Sequence, residues 1–198
     1  MIFFNKISAW FIKDYLDATP DYFEKAKIHL TFNLAVFNFL IIFLTWLPLL
    51  LAKLYLDLAD TLGAMIALIA IPFLLKYKKN VRLASIVFSV IIFIAISAST
   101  LFEKENIAFS NMPYCVAHIV YIFFILNKKW GIAATIYYSL LWLGYFQFLM
   151  YDNLHNELAY TPLKIIILCF VTLTGFLMIY YTTYKFVESR HYAEIKIR

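Results

Sequence analysis

The stretch Leu163–Arg198 reads LKIIILCFVTLTGFLMIYYTTYKFVESRHYAEIKIR. Its apolar first part passes without a break into a charged, amphipathic end. No Gly or Pro follows Gly175 to stop a helix. At ~1.5 Å per residue such a helix is ~54 Å long. The hydrocarbon core of a bilayer is only ~30 Å thick. The reading is a rod that spans a membrane and projects beyond it, with residues 185–198 as a cytoplasmic connector and the preceding chain as the membrane body that feeds it.

Composition agrees with a membrane body. Hydrophobic residues make up 64% of the 198 and the mean hydropathy is +0.80; a soluble domain sits nearer half apolar. At ~20 residues per crossing, six crossings with short loops nearly exhaust the length, which excludes a soluble catalytic domain of ordinary size. The net charge of +5 is explained by orientation in a bilayer, because Lys and Arg fall between apolar runs, and no nucleic-acid partner is expected. Cys115 and Cys169 lie inside apolar runs and read as small packing residues.

Residues 1–26, MIFFNKISAWFIKDYLDATPDYFEKA, lack the long apolar core and cleavage site of a secretory signal. Ile2, Phe3, Ile7, Trp10, Phe11 and Leu16 recur at helical spacing. This segment is expected to lie amphipathically in the membrane interface. Thr19-Pro20-Asp21 breaks it, with Thr19 or Asp21 capping a short helix that leads on. Residues 27–184 then carry six spans, about 28–51, 61–75, 83–102, 107–126, 130–150 and 163–184.

Charge tests that count. With both termini in the cytoplasm, Lys6, Lys13, Lys25 and Lys27, the run Lys76, Lys78, Lys79 and Arg82, the pair Lys128 and Lys129, and the tail Lys185, Arg190, Lys196 and Arg198 share one side. Only Lys53, Lys104 and Lys164 remain opposite. The positive-inside rule selects this arrangement. The expected fold is therefore all-α: a polytopic six-transmembrane-helix bundle with an N-terminal amphipathic helix and a C-terminal helical extension.

Chemistry is sparser. His118 lies midway through span four, and ionisable groups at that depth usually face the bundle interior. Asn111, Pro113, Tyr114 and His118 form the most polar patch within any span, and Pro113 reads as a kink that frees a backbone carbonyl. Asn33, Asn38 and Gln147 read as interhelical amides. Trp142, Tyr145, Phe146 and Phe148 with Tyr114 are candidates for an aromatic cavity. The expected ligand-binding set is Asn111, Tyr114, His118, Trp142 and Gln147, for a small or lipophilic ligand. No catalytic residue is expected, because nucleophile-elbow, zinc-protease and phosphate-loop motifs are absent. The four histidines offer no metal- or haem-ligand spacing, so no cofactor is expected.

One pattern points to a family. A basic turn with a glycine, Asn127-Lys128-Lys129-Trp130-Gly131, joins spans four and five, and the last span ends in YYTTYKFVESRHYAEIKIR. In layout this resembles the six-span N-terminal sensor regions of bacterial membrane histidine kinases. FSNMPY stands where that family has a Gly- and Ser-Pro-containing approach to span four. The resemblance implies a sensor in the bacterial inner membrane, a homodimer, and a signal passed through the last helix to a downstream cytoplasmic output domain. No phosphoacceptor helix or ATP-binding domain lies within these residues. The competing expectation is a small transporter or channel with a path past His118 and Asn111.

Overall fold

A computed structural model describes the backbone of residues 2–51, 55–102, 111–145 and 162–197, with side chains at 7–44, 50, 61–101, 111–145, 169 and 172–188. Among these residues the chain is entirely helical. The helices are α1 (Ile2–Ala18), α2 (Tyr22–Leu51), α3 (Tyr55–Lys78), α4 (Val81–Phe102), α5 (Met112–Ile125), α6 (Lys128–Gly144) and α7 (Pro162–Ile197). Gln147, Phe146, Phe148, His155 and the polar loop 151–161 lie outside the described residues.

Among the described residues three stretches are long and apolar enough to cross a membrane: Tyr22–Leu44, Thr61–Lys78 and Val81–Leu101. Met112–Ile125 is a shorter apolar helix. Outward-facing positions are apolar too, among them Phe43, Leu44, Ile66, Ile94, Leu140 and Leu143. In water so much exposed hydrocarbon would be a liability. In lipid it is the ordinary surface, so the helices are compatible with a membrane protein.

The chain divides into two compact units, residues 1–91 with 182–198, and residues 92–181. In the first, α3 packs along α2 and α1 packs on both. Ile28, Leu30, Phe32 and Leu34 on α2 and Leu68, Ile71 and Leu75 on α3 are buried. On α1, Ile12 and Tyr15 are buried, and the Phe11 ring meets Phe73 edge-on at 5.3 Å. Tyr15 Oη accepts a hydrogen bond from the Val81 amide at 3.1 Å, tying α1 to the start of α4. Thr31 and Ser85 share a buried hydroxyl pair at 3.0 Å between α2 and α4.

Turn chemistry places the helix starts. Asp21 Oδ1 accepts from Phe23 N–H at 2.9 Å, Asn80 Oδ1 from Leu83 N–H and Asn127 Oδ1 from Trp130 N–H. Each side chain satisfies an amide with no intrahelical partner. Asp21 caps as expected, but the helix it opens is not a short separate one: α2 runs unbroken across 26–27 to Leu51. Asn38, expected as a bond to a neighbouring helix, instead donates to Leu34 O one turn back at 2.8 Å.

Candidate functional site: the α5 face

In the second unit α5 is the hub. Asn111, Tyr114, Cys115 and His118 stand three or four residues apart, so they share one face of a helix. Each reaches a different position on the surrounding helices. Asn111 Nδ2 donates to Ser99 Oγ of α4 at 2.9 Å. The Tyr114 hydroxyl meets Thr174 Oγ1 of α7 at 2.5 Å. Cys115 Sγ accepts from Trp142 Nε1–H of α6 at 3.4 Å. His118 Nδ1 meets the Tyr138 hydroxyl of α6 at 2.7 Å.

Local sequence explains the close approach. Pro113 lies in the first turn of α5, where its missing N–H removes no helical bond. It therefore opens the helix and does not produce the kink expected from sequence. Gly175 of α7 lies against it: a Cβ there would be 2.7 Å from Pro113 Cβ and 3.0 Å from Tyr114 Cε2. Only glycine lets the two helices come that near, which brings Thr174 within reach of Tyr114. Gly131 serves α6 in the same way, since a Cβ on it would run into the Phe123 ring.

Around these bonds the packing is aromatic and dense. Ile96, Cys115, Tyr138, Trp142 and Tyr145 form one buried cluster, flanked by Phe93, Tyr114, Tyr137 and Leu141. Trp142 and Tyr145 thus belong to packed interior. Phe93 and Tyr137 lie 4.2 Å apart between ring centroids, and Ser97 Oγ meets the Tyr137 hydroxyl at 2.8 Å. Both cysteines are free thiols.

His118 is the chemical centre of this face. It is 4% exposed, and its Nε2 has no hydrogen-bond partner among the described residues. Buried polar atoms are usually paired, because an unpaired one loses its hydration without compensation. If Tyr138 donates to Nδ1, Nε2 carries a proton and is a donor; if Nδ1 donates, Nε2 is an acceptor. Either tautomer leaves one directed hydrogen bond for a ligand or water. Among the described residues no group of three or more His, Cys, Asp or Glu side chains is placed to hold a metal.

Four of the five residues expected from sequence, Asn111, Tyr114, His118 and Trp142, thus come together within one unit; Gln147 lies outside the described residues. Sequence reasoning missed Tyr138, Thr174 and Ser99. Tyr138 had a usable signal, since it stands one helical turn before Trp142 and shares its face. No protein-family model matches the chain, and neither a curated protein nor a solved structure matches it.

Proposed function

We propose that this chain is a membrane sensor domain that relays a signal from outside or within the bilayer, through its last helix, to a cytoplasmic output such as a histidine kinase. The observation that carries this reading is the continuity of α7, 36 residues from Pro162 to Ile197. At ~1.5 Å per residue it measures ~54 Å, against a ~30 Å hydrocarbon core. Six crossings in a bacterial inner membrane, with both termini cytoplasmic, put its charged end in the cytoplasm; the distribution of Lys and Arg supports that orientation. A homodimer would give the emerging helices a partner across which to move.

The site supports the same reading. A small or lipophilic ligand that hydrogen-bonds His118 Nε2 shifts α5. The shift reaches α7 through the Tyr114–Thr174 bond and the glycine contact of Gly175 with Pro113. The rod carries the displacement outward as rotation or translation. Asn111, Tyr114, His118 and Trp142 position the ligand or the helices that hold it.

The test is a fusion of a helix-coupled output domain after Arg198. His118→Gln is expected to shift the basal output of that fusion. Val187 is exposed on α7, so Val187→Pro breaks the helix with little loss of packing. It is expected to abolish the His118→Gln shift while membrane insertion is retained. A shift that survives Val187→Pro would overturn the proposal.

A further inference from the structure

The turn between α3 and α4, KYKKNVR at 76–82, holds four cations in seven residues. Lys78, Lys79 and Arg82 are exposed, and no ion pair involving them forms among the described residues. Lys79 has φ 46°, a left-handed conformation that glycine or asparagine adopts far more readily than lysine. Lys79 directly follows the last residue of α3, a position where helices commonly close in that conformation, and its side chain is exposed beside Lys78. Beside the turn, α1 lays Trp10 over Lys76, whose Nζ is 2.9 Å from the ring centroid. Trp10 and Tyr77 are 58% and 68% exposed, as suits aromatic rings at the headgroup level of a bilayer.

We infer that this turn, with Trp10 of α1, binds the headgroup of an anionic phospholipid. The phosphate lies against Lys78, Lys79 and Arg82. The acyl chains run down the helices directly beneath, where Phe73 on α3 and Leu83 and Ile86 on α4 are exposed. That continuity of cations with exposed hydrocarbon favours a lipid over an acidic peptide, which needs the charges but not the apolar flank. Basic residues near a membrane surface attract anionic lipid additively, about fivefold each. The six-crossing reading fixes only which leaflet supplies the lipid.

The test uses the full chain, delipidated in dodecylmaltoside and titrated with dioleoyl phosphatidylglycerol or dioleoyl phosphatidylcholine, with bound lipid counted by native mass spectrometry. At about fivefold for each of the three cations, phosphatidylglycerol is expected to bind on the order of a hundredfold more tightly than phosphatidylcholine. The variant Lys78→Gln, Lys79→Gln, Arg82→Gln is expected to lose that preference. All three are exposed, and an unchanged thermal transition by circular dichroism shows that the fold is kept. The variant Lys128→Gln, Lys129→Gln, at the other basic turn, is expected to retain the preference. Retained preference in the triple variant overturns the inference, as does equal loss at 128–129. Saturation of the turn by a hexaglutamate peptide, without preference between the lipids, assigns it to an acidic partner and also overturns it. None of these readouts depends on signalling through α7, so this inference and the sensor proposal fail separately.

Discussion

Replacing Tyr138 by Phe removes one hydroxyl and keeps the ring that packs in the buried cluster with Ile96, Trp142 and Tyr145. The loss is then the 2.7 Å bond to His118 Nδ1. Interhelical hydrogen bonds in membrane proteins average ~0.6 kcal/mol, with a maximum near 1.7. Stranding a buried partner adds to this, typically ~1–3 kcal/mol in water-soluble proteins. His118 is fully enclosed and its Nε2 is already unpaired among the described residues, so the variant leaves an imidazole with neither nitrogen satisfied there. We expect a destabilisation of about 1.5–3.5 kcal/mol. The assay is equilibrium unfolding in mixed dodecyl sulfate and dodecylmaltoside micelles, followed by far-ultraviolet circular dichroism. His118→Leu supplies the second arm of a double-mutant cycle, and the double variant removes both polar groups together. A coupling of about 1 kcal/mol is expected. A Tyr138→Phe protein within about 0.3 kcal/mol of the parent, or additivity of the two single changes at that level, would refute the claim that these groups bind each other in the interior.

Further expectations concern packing and pH. Gly175→Ala drives a methyl group into Pro113 and Tyr114 and is expected to destabilise by about 1–3 kcal/mol. Gly63→Ala meets nothing within 4 Å and is expected to be neutral or to stabilise by up to about 1 kcal/mol; the same micelle unfolding assay reads both. Tyr15, on α1, has its phenol pushed above the usual 10.0 by burial, with the Glu24 carboxylate adding to the rise and the Val81 amide opposing it. The folded state therefore holds this proton more tightly than the unfolded one. The contribution is full below pH 10.0 and is lost as pH rises above it through the folded value. Stability followed from neutral to strongly alkaline pH should fall more steeply in the parent than in Tyr15→Phe; parallel curves would contradict the assignment.

Helix existence was legible in the sequence because long apolar runs and the absence of breakers decide it locally. The unbroken α7 is the clearest case, since nothing after Gly175 stops it. That α1 is a helix was legible too, but not its buried residues, Ile12 and Tyr15, which fall outside the repeat read from the sequence. The burial of His118 and the polar character of Asn111 and Tyr114 could also be read along one chain. Their partners could not, because pairing depends on the rotation of one helix against another. Tyr138, Thr174 and Ser99 acquire meaning only once α6, α7 and α4 are placed around α5. Pro113 was misread for a related reason. The same residue bends a helix from its interior and opens one from its first turn, and only the position of the helix start tells the two apart. The bond from Tyr15 to the amide of Val81 joins residues 66 apart, and no local pattern announces it.

The most direct measurement is a pair of reporter fusions placed after Arg198: green fluorescent protein, which matures in the cytoplasm, and alkaline phosphatase, which is active only outside the inner membrane. Six crossings that deliver the end of α7 to the cytoplasm require bright fluorescence and inactive phosphatase. Active phosphatase with dark fluorescent protein would place that helix end on the opposite face and contradict the account.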